Sequence, residues 1–505
     1  MNFIAAHLLS LVLFIPALAG IVVLFLPKGQ DKLARWFALG ASLIPLALSV
    51  WLWIAFNPDQ AGFQFEESYI WYEAIHSSLH LGIDGLSLTM VLLTTLLTPL
   101  AILASFTITD RVRLYMMLFL FLETGMLGVF MSLDLLIFFV FWEVGLVPMY
   151  FLINQWGSAN REYASLKFMI YTMGGSLGLL LGIQLLGVLF QTYDLPALYD
   201  RWTTLEGTLL GLPVERVKAI AFWAFTIAFA VKVPVWPFHT WLPDAHTEAP
   251  TAGSMILAGV LLKLGAYGFL RFVLLLYPDE ARIFAGALAL LATAAIVFGA
   301  FAAYAQTDFK RLVAYSSVNH MGFVVLAIAA AGLASGSTDA HIALNGAVLQ
   351  MFNHGLSAAG MFFLVGVIYD RTHTRDLKEY GGLFPLVPIY GGILIFTSMA
   401  SLGLPGLNGF VSEFLIVRGT YPILTPYTAI SMLGLLFTGA YILKGIKMVL
   451  HGPLNERWAQ GEHKLTEING REIAVMAPLL ALILVIGIWP AWILDVINKA
   501  VVMLF

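Results

Sequence analysis

The stretch Val231-Lys-Val-Pro-Val-Trp-Pro237 interrupts a long apolar segment with one lysine and two prolines. Each proline removes a backbone hydrogen-bond donor, so we expect the helix that contains this stretch to be broken near its middle. A second interrupted segment reads Leu402-Gly-Leu-Pro-Gly-Leu-Asn-Gly409. Paired broken helices at corresponding places in two halves of a membrane protein typically mark an ion-transport site. The two stretches therefore predict a transporter-type fold.

The composition places the rest of the chain in a membrane. Hydrophobic residues make up 60% of the 505 residues and charged residues 11%, whereas soluble proteins carry about 25% charged residues. The mean hydropathy is +0.88. These values exclude a soluble enzyme and a disordered chain, and the net charge of −4 gives no reason to expect a nucleic-acid partner. Because the chain has no cysteine, it has no disulfide, thiolate nucleophile or cysteine-ligated cluster.

The apolar segments predict an all-α polytopic membrane protein with fourteen transmembrane helices. A crossing helix needs about 20 apolar residues. The predicted helices 1 to 14 are 3–26, 33–56, 85–108, 114–132, 134–155, 165–191, 217–246, 251–274, 282–305, 311–333, 340–369, 384–418, 425–450 and 473–502. Helix 1 lacks the cationic start of a signal peptide, so we expect it to be retained. Helices 7 and 12 are the two that contain the interrupted stretches.

The basic residues predict the orientation in the membrane. Sixteen of the 26 lysines and arginines fall in loops on the side that the chain reaches after helix 1, and seven fall on the other side. Arg271 is counted among the seven, as a loop residue. Basic residues concentrate on the inner side of a membrane. We therefore expect both termini on the periplasmic side of a bacterial inner (plasma) membrane, with an organellar membrane also compatible.

Polar residues within the predicted helices recur between the two halves of the chain, 171 to 181 residues apart. The pairs are Glu143 with His320, Lys232 with Glu413, Lys263 with Lys444, and Pro234 with Pro405. They predict two five-helix repeats, helices 4–8 and 9–13. Because five is odd, the second repeat is expected to be inverted. The predicted division is 1–110 for helices 1–3, 111–275 for the first repeat, 276–450 for the second, and 451–505 for an inner loop and helix 14.

Eight titratable residues inside these helices are candidates for a proton relay. They are Glu123, Glu143, Lys232, Lys263, His320, His354, Glu413 and Lys444. A charge at the centre of a membrane helix costs about 2.5–3.5 kcal/mol on insertion scales, so such residues usually have a function. We expect Glu143 and Lys232 to form a switching pair. The alternative is a structural ion pair; Glu123 would then brace a helix contact and Lys444 would extend to the inner surface.

The remaining candidates predict the direction of the relay. Lys263 is expected to be the central proton carrier, because a buried lysine can titrate near neutrality. His320 and His354 would continue the relay toward Glu413 at its far end. A structural scaffold is the alternative of a different class, but it has no reason to carry so many buried charges.

The end of the predicted helix 7 and the residues directly after it contain two histidines seven residues apart, His239 and His246, with Asp244 and Glu248 nearby. A metal site is conceivable there. A polar loop that closes helix 7, or a point of proton uptake, is the alternative that we favour, because the segment leads toward the inner side.

The same segment, Phe238-His-Thr-Trp-Leu-Pro-Asp-Ala-His-Thr-Glu-Ala-Pro-Thr-Ala-Gly-Ser254, with a lysine on each side of it, resembles the antiporter-like subunits of respiratory complex I. Further matching motifs are Gly82-Ile-Asp-Gly-Leu-Ser87, Phe141-Trp-Glu143, Asp308-Phe-Lys-Arg-Leu-Val-Ala-Tyr-Ser-Ser317 and Phe352-Asn-His-Gly355. The resemblance covers nearly the whole chain. It implies fourteen helices with an inverted repeat, and a function in proton translocation coupled to NADH:quinone reduction in other subunits.

Within this family the sequence Ser412-Glu413-Phe414 is most similar to the M-type subunits, because the L and N types carry lysine at the position of Glu413. The resemblance implies that Glu143 and Lys232 are an ion pair, Lys263 the central relay and Glu413 the exit residue. It also implies L-type and N-type neighbours in the lipid bilayer, protons as the transported ion, and no cofactor in this chain; NADH, FMN, Fe–S clusters and quinone belong to partner subunits. The alternatives are a subunit of a multi-subunit cation/proton antiporter, or of a complex-I-like membrane-bound hydrogenase or ferredoxin-linked complex.

Overall fold

The computed structural model describes residues 3–460 and 464–505. Within these ranges, fourteen membrane segments lie where the sequence predicts them. For helices 1 to 14 the bounds are Leu8–Phe25, Asp31–Ala55, Gly85–Ala104, Val112–Met131, Leu135–Val144 with Leu146–Trp156, Arg161–Phe190, Val214–Lys232 with Trp241–Glu248, Thr251–Leu276, Ala285–Ala305, Phe309–Leu333, Thr338–Thr372, Pro388–Leu402 with Asn408–Thr420, Thr425–Leu450, and Gly470–Ile488 with Ala491–Leu504. Short helices outside the membrane segments include Phe3–Ala6, Leu195–Thr203 and Pro278–Ile283.

Twelve helices in the described ranges are long and apolar enough to cross a membrane, and the two further segments are helices 7 and 12. Both are broken, as their prolines and glycines predict. Helix 7 stops at Lys232 and resumes at Trp241, whose indole N–H donates to the carbonyl of Val231. Helix 12 stops before Gly403, where φ is +84°, a conformation that glycine adopts without strain. The all-α polytopic fold with two broken helices is confirmed.

The centre of the bundle is formed by helices 8, 10 and 11. In the most apolar window of these helices 94 to 100% of the residues are buried, against 33% in helices 2, 6 and 14. Corresponding helices of the two predicted repeats also make corresponding contacts: helix 4 packs on helix 5 as helix 9 does on helix 10, and helix 6 packs on helix 7 as helix 11 does on helix 12. The burial values therefore place the outer helices at the surface of the subunit and the central helices among protein only.

Three helices differ from the predicted regular segments. Helix 8 contains two π-helical stretches, Leu257–Leu261 and Phe269–Val273. Helix 5 is interrupted at Gly145, where helix 4 approaches so closely that a Cβ on Gly125 would lie 2.6 Å from the Gly145 nitrogen. Helix 14 is divided before Ala491, because a proline at 490 cannot continue the hydrogen-bond ladder.

Two β-hairpins, which the sequence analysis did not predict, lie at the end of the bundle where helix 2 ends. The larger pairs β1 (Gln64–Tyr72) with β2 (Ser77–Ile83), and the smaller pairs β3 (Thr208–Leu209) with β4 (Leu212–Pro213). On β2, the His80 ring bridges Glu66 Oε2 at 3.0 Å and Asp194 Oδ1 at 2.7 Å. The larger hairpin is therefore fixed to the start of the short helix that follows helix 6.

Candidate functional site

Lys263 lies at the centre of the bundle and is fully buried. Its Nζ donates to the carbonyl of Ala258, inside the first π-helical stretch of helix 8, and lies 2.7 Å from Nδ1 of His354 on helix 11. When Lys263 is protonated its ammonium group only donates, so Nδ1 then accepts and a neutral His354 ring carries its proton on Nε2. In the described part of the chain no protein group lies within hydrogen-bond distance of that Nε2.

A second histidine continues this line of polar groups. The ring of His320 on helix 10 lies 5.7 Å from the ring of His354, centroid to centroid. Its Nδ1 is 2.7 Å from Oε1 of Glu413 on helix 12, and its Nε2 is 3.2 Å from the hydroxyl of Tyr441. The structure thus brings together Lys263, His354, His320 and Glu413, which the sequence analysis assigns to one relay, and it places His354 between Lys263 and His320. We call these four side chains the central row.

Glu413 is held by helix 11 as well as by His320. The amide nitrogen of Gln350 donates to its Oε1 at 3.1 Å, and the amide oxygen of Gln350 accepts from the Ser412 hydroxyl. A polar cavity of about 10 Å³ lies between Glu413 and His354. That volume holds about one water molecule. Sequence reasoning missed Gln350, Ser412 and Tyr441, because neutral polar residues are common in membrane helices.

Glu143 and Lys232 lie next to the central row but are not in direct contact. Lys232 is buried, and its Nζ lies 4.8 Å from the centre of the Trp142 ring. Across the residues that are described, no nitrogen–oxygen distance between Glu143 and Lys232 is 4.0 Å or less, although the carboxylate is near enough to attract the ammonium electrostatically. A Cβ on Gly265 would lie 3.0 Å from Cβ of Lys232, so helix 7 packs on helix 8 close to Lys263.

Two predicted site residues lie apart from the central row. Glu123 is fully buried on helix 4, and in the described ranges neither carboxylate oxygen has a hydrogen-bond partner. Lys444 donates to the carbonyls of Tyr304 at 2.6 Å and Gln306 at 2.8 Å, at the C-terminal end of helix 9. Cationic side chains are favourable at that end of a helix. The geometry of Lys444 is therefore that of a helix cap.

The second half of helix 7, Trp241–Glu248, is largely buried and carries several polar side chains. Asp244 is bridged by Lys167 at 2.7 Å and Arg311 at 2.6 Å. His246 is fully buried and stacks on Phe362 with ring centroids 4.2 Å apart. Among the described residues there is no group of three or more His, Cys, Asp or Glu that could hold a metal ion. The geometry gives the conceivable metal site at this segment no support.

A polar cavity of about 180 Å³ opens beside this segment, where helices 8 and 10 begin and helix 11 ends. Its charged lining residues are Glu248, Lys310, Asp370, Arg375, Arg471 and Glu472. Lys310 is buried and donates to the carbonyl of Ala249. The cavity is on the side that the basic residues predict to be the inner one, so it connects that side with the segment containing His246.

Arg271 is a correction to the sequence analysis. It is not a loop residue; it lies inside helix 8, is 0% exposed, and its Nη2 is 2.6 Å from Oδ2 of Asp84. Asp84 also caps helix 3 by accepting from the backbone N–H groups of Leu86 and Ser87. The signal that could have revealed the pair is the aspartate within the Gly82–Ser87 motif, because a carboxylate at a helix start attracts a cation.

Comparison with known proteins identifies the family. The family described as NADH:quinone oxidoreductase/Mrp antiporter, TM, matches residues 132–443. NADH-quinone oxidoreductase subunit M of Rhodobacter capsulatus is 40% identical over 98% of this chain and 96% of its own length. Subunit M of Escherichia coli K12 is also 40% identical, over 98% of this chain and 97% of its own.

Solved structures have the same fold. A chain of respiratory complex I from Thermus thermophilus with bound NADH gives a TM-score of 0.83 at 26% identity, covering 98% of this chain and 99% of that chain. The Mrp complex from Dietzia sp. DQ12-45-1b gives a TM-score of 0.82 at 22% identity, covering 98% of this chain and 52% of that chain. The second likeness shows the fold alone. The chain therefore belongs to the subunit M family of NADH-quinone oxidoreductase, the antiporter-like, proton-translocating membrane subunits of complex I.

Proposed function

We propose that the central row is the path along which this subunit moves protons. The observation that carries the proposal is the continuity of the row: 2.7 Å from Lys263 Nζ to His354 Nδ1, adjacent rings of His354 and His320, and 2.7 Å from His320 Nδ1 to Glu413 Oε1. Every member can bind and release a proton. A row of titratable groups buried in a membrane bundle is costly, and proton relays are a common reason for that cost.

The chemistry of the row starts at Lys263. Its ammonium group can pass a proton to Nδ1 of His354, leaving a neutral amine and an imidazolium. The imidazolium then passes a proton from Nε2 toward Glu413, across the cavity that holds about one water molecule. The contact of His320 Nδ1 with Oε1 holds the Glu413 carboxyl at the end of this path. Glu413 would be the last proton-binding group before release, as the resemblance implies.

Proton uptake would begin at the charged cavity around Glu248 and Lys310. His246 is the next titratable side chain toward the centre, and its ring lies within electrostatic reach of both Lys310 and Lys263. In the described chain both of its ring nitrogens are without a protein partner, so they are free to bind water or a proton. This arrangement supports the alternative in which the end of helix 7 takes up protons.

Lys232 and Glu143 would act as the switch of the row. In this structure the lysine lies on the Trp142 ring, apart from the carboxylate. Movement of the Lys232 ammonium toward Glu143 would weaken its repulsion of a protonated Lys263 and so raise the proton affinity of Lys263. This would couple the row to events in neighbouring subunits.

The same proposal includes a position in the membrane. The distribution of basic residues favours both termini on the periplasmic side of a bacterial inner membrane, with L-type and N-type subunits as neighbours. The contacts of helices 4–8 and 9–13 favour division of the core into two inverted repeats, 111–275 and 276–450, flanked by 1–110 and 451–505. Glu123 and Lys444 remain predicted relay residues, although the geometry favours bracing and capping for them.

The test is Lys263→Met in the assembled complex, with proton pumping and quinone reduction measured side by side in proteoliposomes. We expect assembly to survive and pumping to be lost, because the row then has a gap at its centre. Lys218→Met is the matched control, since Lys218 is another buried lysine bonded to backbone carbonyls, those of Thr203 and Leu205, outside the row. Pumping at the wild-type ratio in Lys263→Met would overturn the proposal.

A further inference from the structure

The two oxygens of the Glu413 carboxyl have different surroundings. Oε1 lies 2.7 Å from Nδ1 of His320, from which it accepts when the ring carries its proton there, and it accepts from Nε2 of Gln350 at 3.1 Å. Oε2 is buried and, among the residues that are described, has no hydrogen-bond partner. A Cβ on Gly403 would lie 3.4 Å from Oε2, so this oxygen faces the break in helix 12. One oxygen is therefore occupied and the other is free.

The orientation of the Gln350 amide is set by its neighbours on helices 11 and 12. Asn353 Nδ2 donates to the Ser412 hydroxyl oxygen at 3.0 Å, which leaves the Ser412 hydrogen to be donated to the Gln350 amide oxygen. Gln350 is 2% exposed, so solvent does not reach the amide to hydrogen-bond it in the flipped orientation. Its N–H, and not its carbonyl, must therefore face Glu413.

From this geometry we propose that Gln350 is a positioning residue, which reserves Oε1 of Glu413 as a hydrogen-bond acceptor and so makes Oε2 the oxygen that takes up and releases the transported proton. With the His320 ring protonated on Nδ1, a proton on Oε1 would meet two N–H groups, that of His320 and the amide of Gln350, and neither can accept it. Two donors on one oxygen favour its carbonyl form, which leaves the hydroxyl form for the other oxygen. The inference rests on the proposed function of the central row.

The position of Oε2 allows exchange without movement of the side chain. Glu413 borders the polar cavity that it shares with His354, and also an apolar cavity of about 200 Å³ between helices 12 and 13, lined by Gly403 and Phe414. Uptake forms an O–H bond at Oε2 with a proton from a hydronium ion in the polar cavity, which becomes water. Release breaks that bond and returns the proton to a water molecule at the helix break, while Oε1 keeps both hydrogen bonds.

Infrared difference spectroscopy of the assembled complex between two pH values tests this assignment. The carboxylic C=O band of Glu413 is the one that disappears in Glu413→Gln. Gln350→Met keeps the length of the side chain and removes the donor, and Gln350→Leu is the second variant if the first does not assemble. Thr428→Val is the matched control, because it also removes one buried hydrogen bond, to Thr420, away from the row.

We expect the band to move to higher wavenumber in the Gln350 variants and to stay in place in Thr428→Val, because a carbonyl that loses a donor has a stiffer C=O bond. Proton pumping is expected to fall about tenfold or more in the Gln350 variants, because one hydrogen bond to a charged group is lost. In the wild type the band should lie at the low end of the carboxylic range, which can be read without any variant. A band at the high end in the wild type, or one unmoved in the Gln350 variants, would overturn the inference.

Failure of the proposed function would look different. If Glu413→Gln pumps protons at the wild-type ratio, Glu413 is outside the path, whatever its band does. If Glu413→Gln abolishes pumping while the Gln350 variants leave the band unmoved, the row stands and the assignment to Oε2 falls.

Discussion

Replacement of Asp84 by asparagine should destabilise this subunit strongly, although it exchanges nearly identical side chains. Asparagine is as good a helix N-cap as aspartate, so the cap of helix 3 is retained. The charge is lost, and Arg271 is left fully buried without a counter-ion. Removal of one partner of a buried ion pair costs about 3–5 kcal/mol. Asp84→Ala should cost about 1 kcal/mol more, because it also removes the cap.

The double variant distinguishes a charge effect from a packing effect. Asp84→Asn with Arg271→Leu removes both members, and buried pairs replaced by neutral residues cost far less than broken ones. We expect the double variant to lie within about 2 kcal/mol of the wild type, and therefore to be more stable than either single variant. The free energy of unfolding would be followed by SDS titration in bicelles, with a fluorophore on this subunit.

Two results would refute this reasoning. A cost below about 1 kcal/mol for Asp84→Asn is the cost of breaking a solvent-exposed ion pair, and it would mean that the Arg271 guanidinium is already hydrated. The cavity of about 80 Å³ beside Asp84 would be the route for that water. A double variant whose cost equals the sum of the single costs would mean that the two residues act independently.

Three further predictions concern other parts of the molecule. Lys232→Ala should leave the complex assembled but abolish both proton pumping and the quinone reduction coupled to it; near wild-type rates of both in an intact complex would make Lys232 a structural residue. Lys444→Met should speed hydrogen exchange in the last turn of helix 9, where its carbonyl acceptors lie, and unchanged exchange would contradict the capping role. Hydrogen bonding to Asp194, opposed by burial and reinforced by Glu66, raises the pKa of His80 above its ordinary value of 6.5. The stabilisation by His80 should therefore be complete below about pH 6.5 and disappear as the pH rises through the higher folded-state pKa. His80→Gln should remove this pH dependence from the thermal stability of the complex. Identical pH profiles of thermal stability in the wild type and in His80→Gln would exclude this role of His80.

The members of the central row, but not the order of its two histidines, could be predicted because burial of charge has few solutions. Lys263 and Glu413 are too costly to leave alone in a membrane, so they must meet polar partners, and His354 and His320 were the polar side chains available at the right depth. The breaks in helices 7 and 12 followed from proline and glycine chemistry alone. These features follow from the local sequence and from the low polarity of the membrane interior.

The other features depend on contacts that one sequence does not contain. Arg271 lies near the end of helix 8, where a long side chain either reaches water or turns inward, and its partner is 187 residues away. Lys232 has both an aromatic ring and a carboxylate within reach, and packing decides between them. The hairpin at 64–83 was overlooked because its alternation has a period of two, whereas a search for membrane helices averages over about 20 residues.

The burial of helices 8, 10 and 11 has a consequence for how the chain is made. These helices carry most of the polar side chains of the row, and the mean hydropathy of their most apolar windows is 1.8, 1.6 and 1.5, in the lower part of the range from 1.5 to 2.8 that the crossing helices span. A helix with a lysine or several polar residues partitions weakly from the translocon into lipid by itself. We therefore expect helices 8, 10 and 11 to insert into the bilayer together with their neighbours during synthesis, and not one by one. The part of the subunit that carries protons would then also be the part whose insertion is most cooperative.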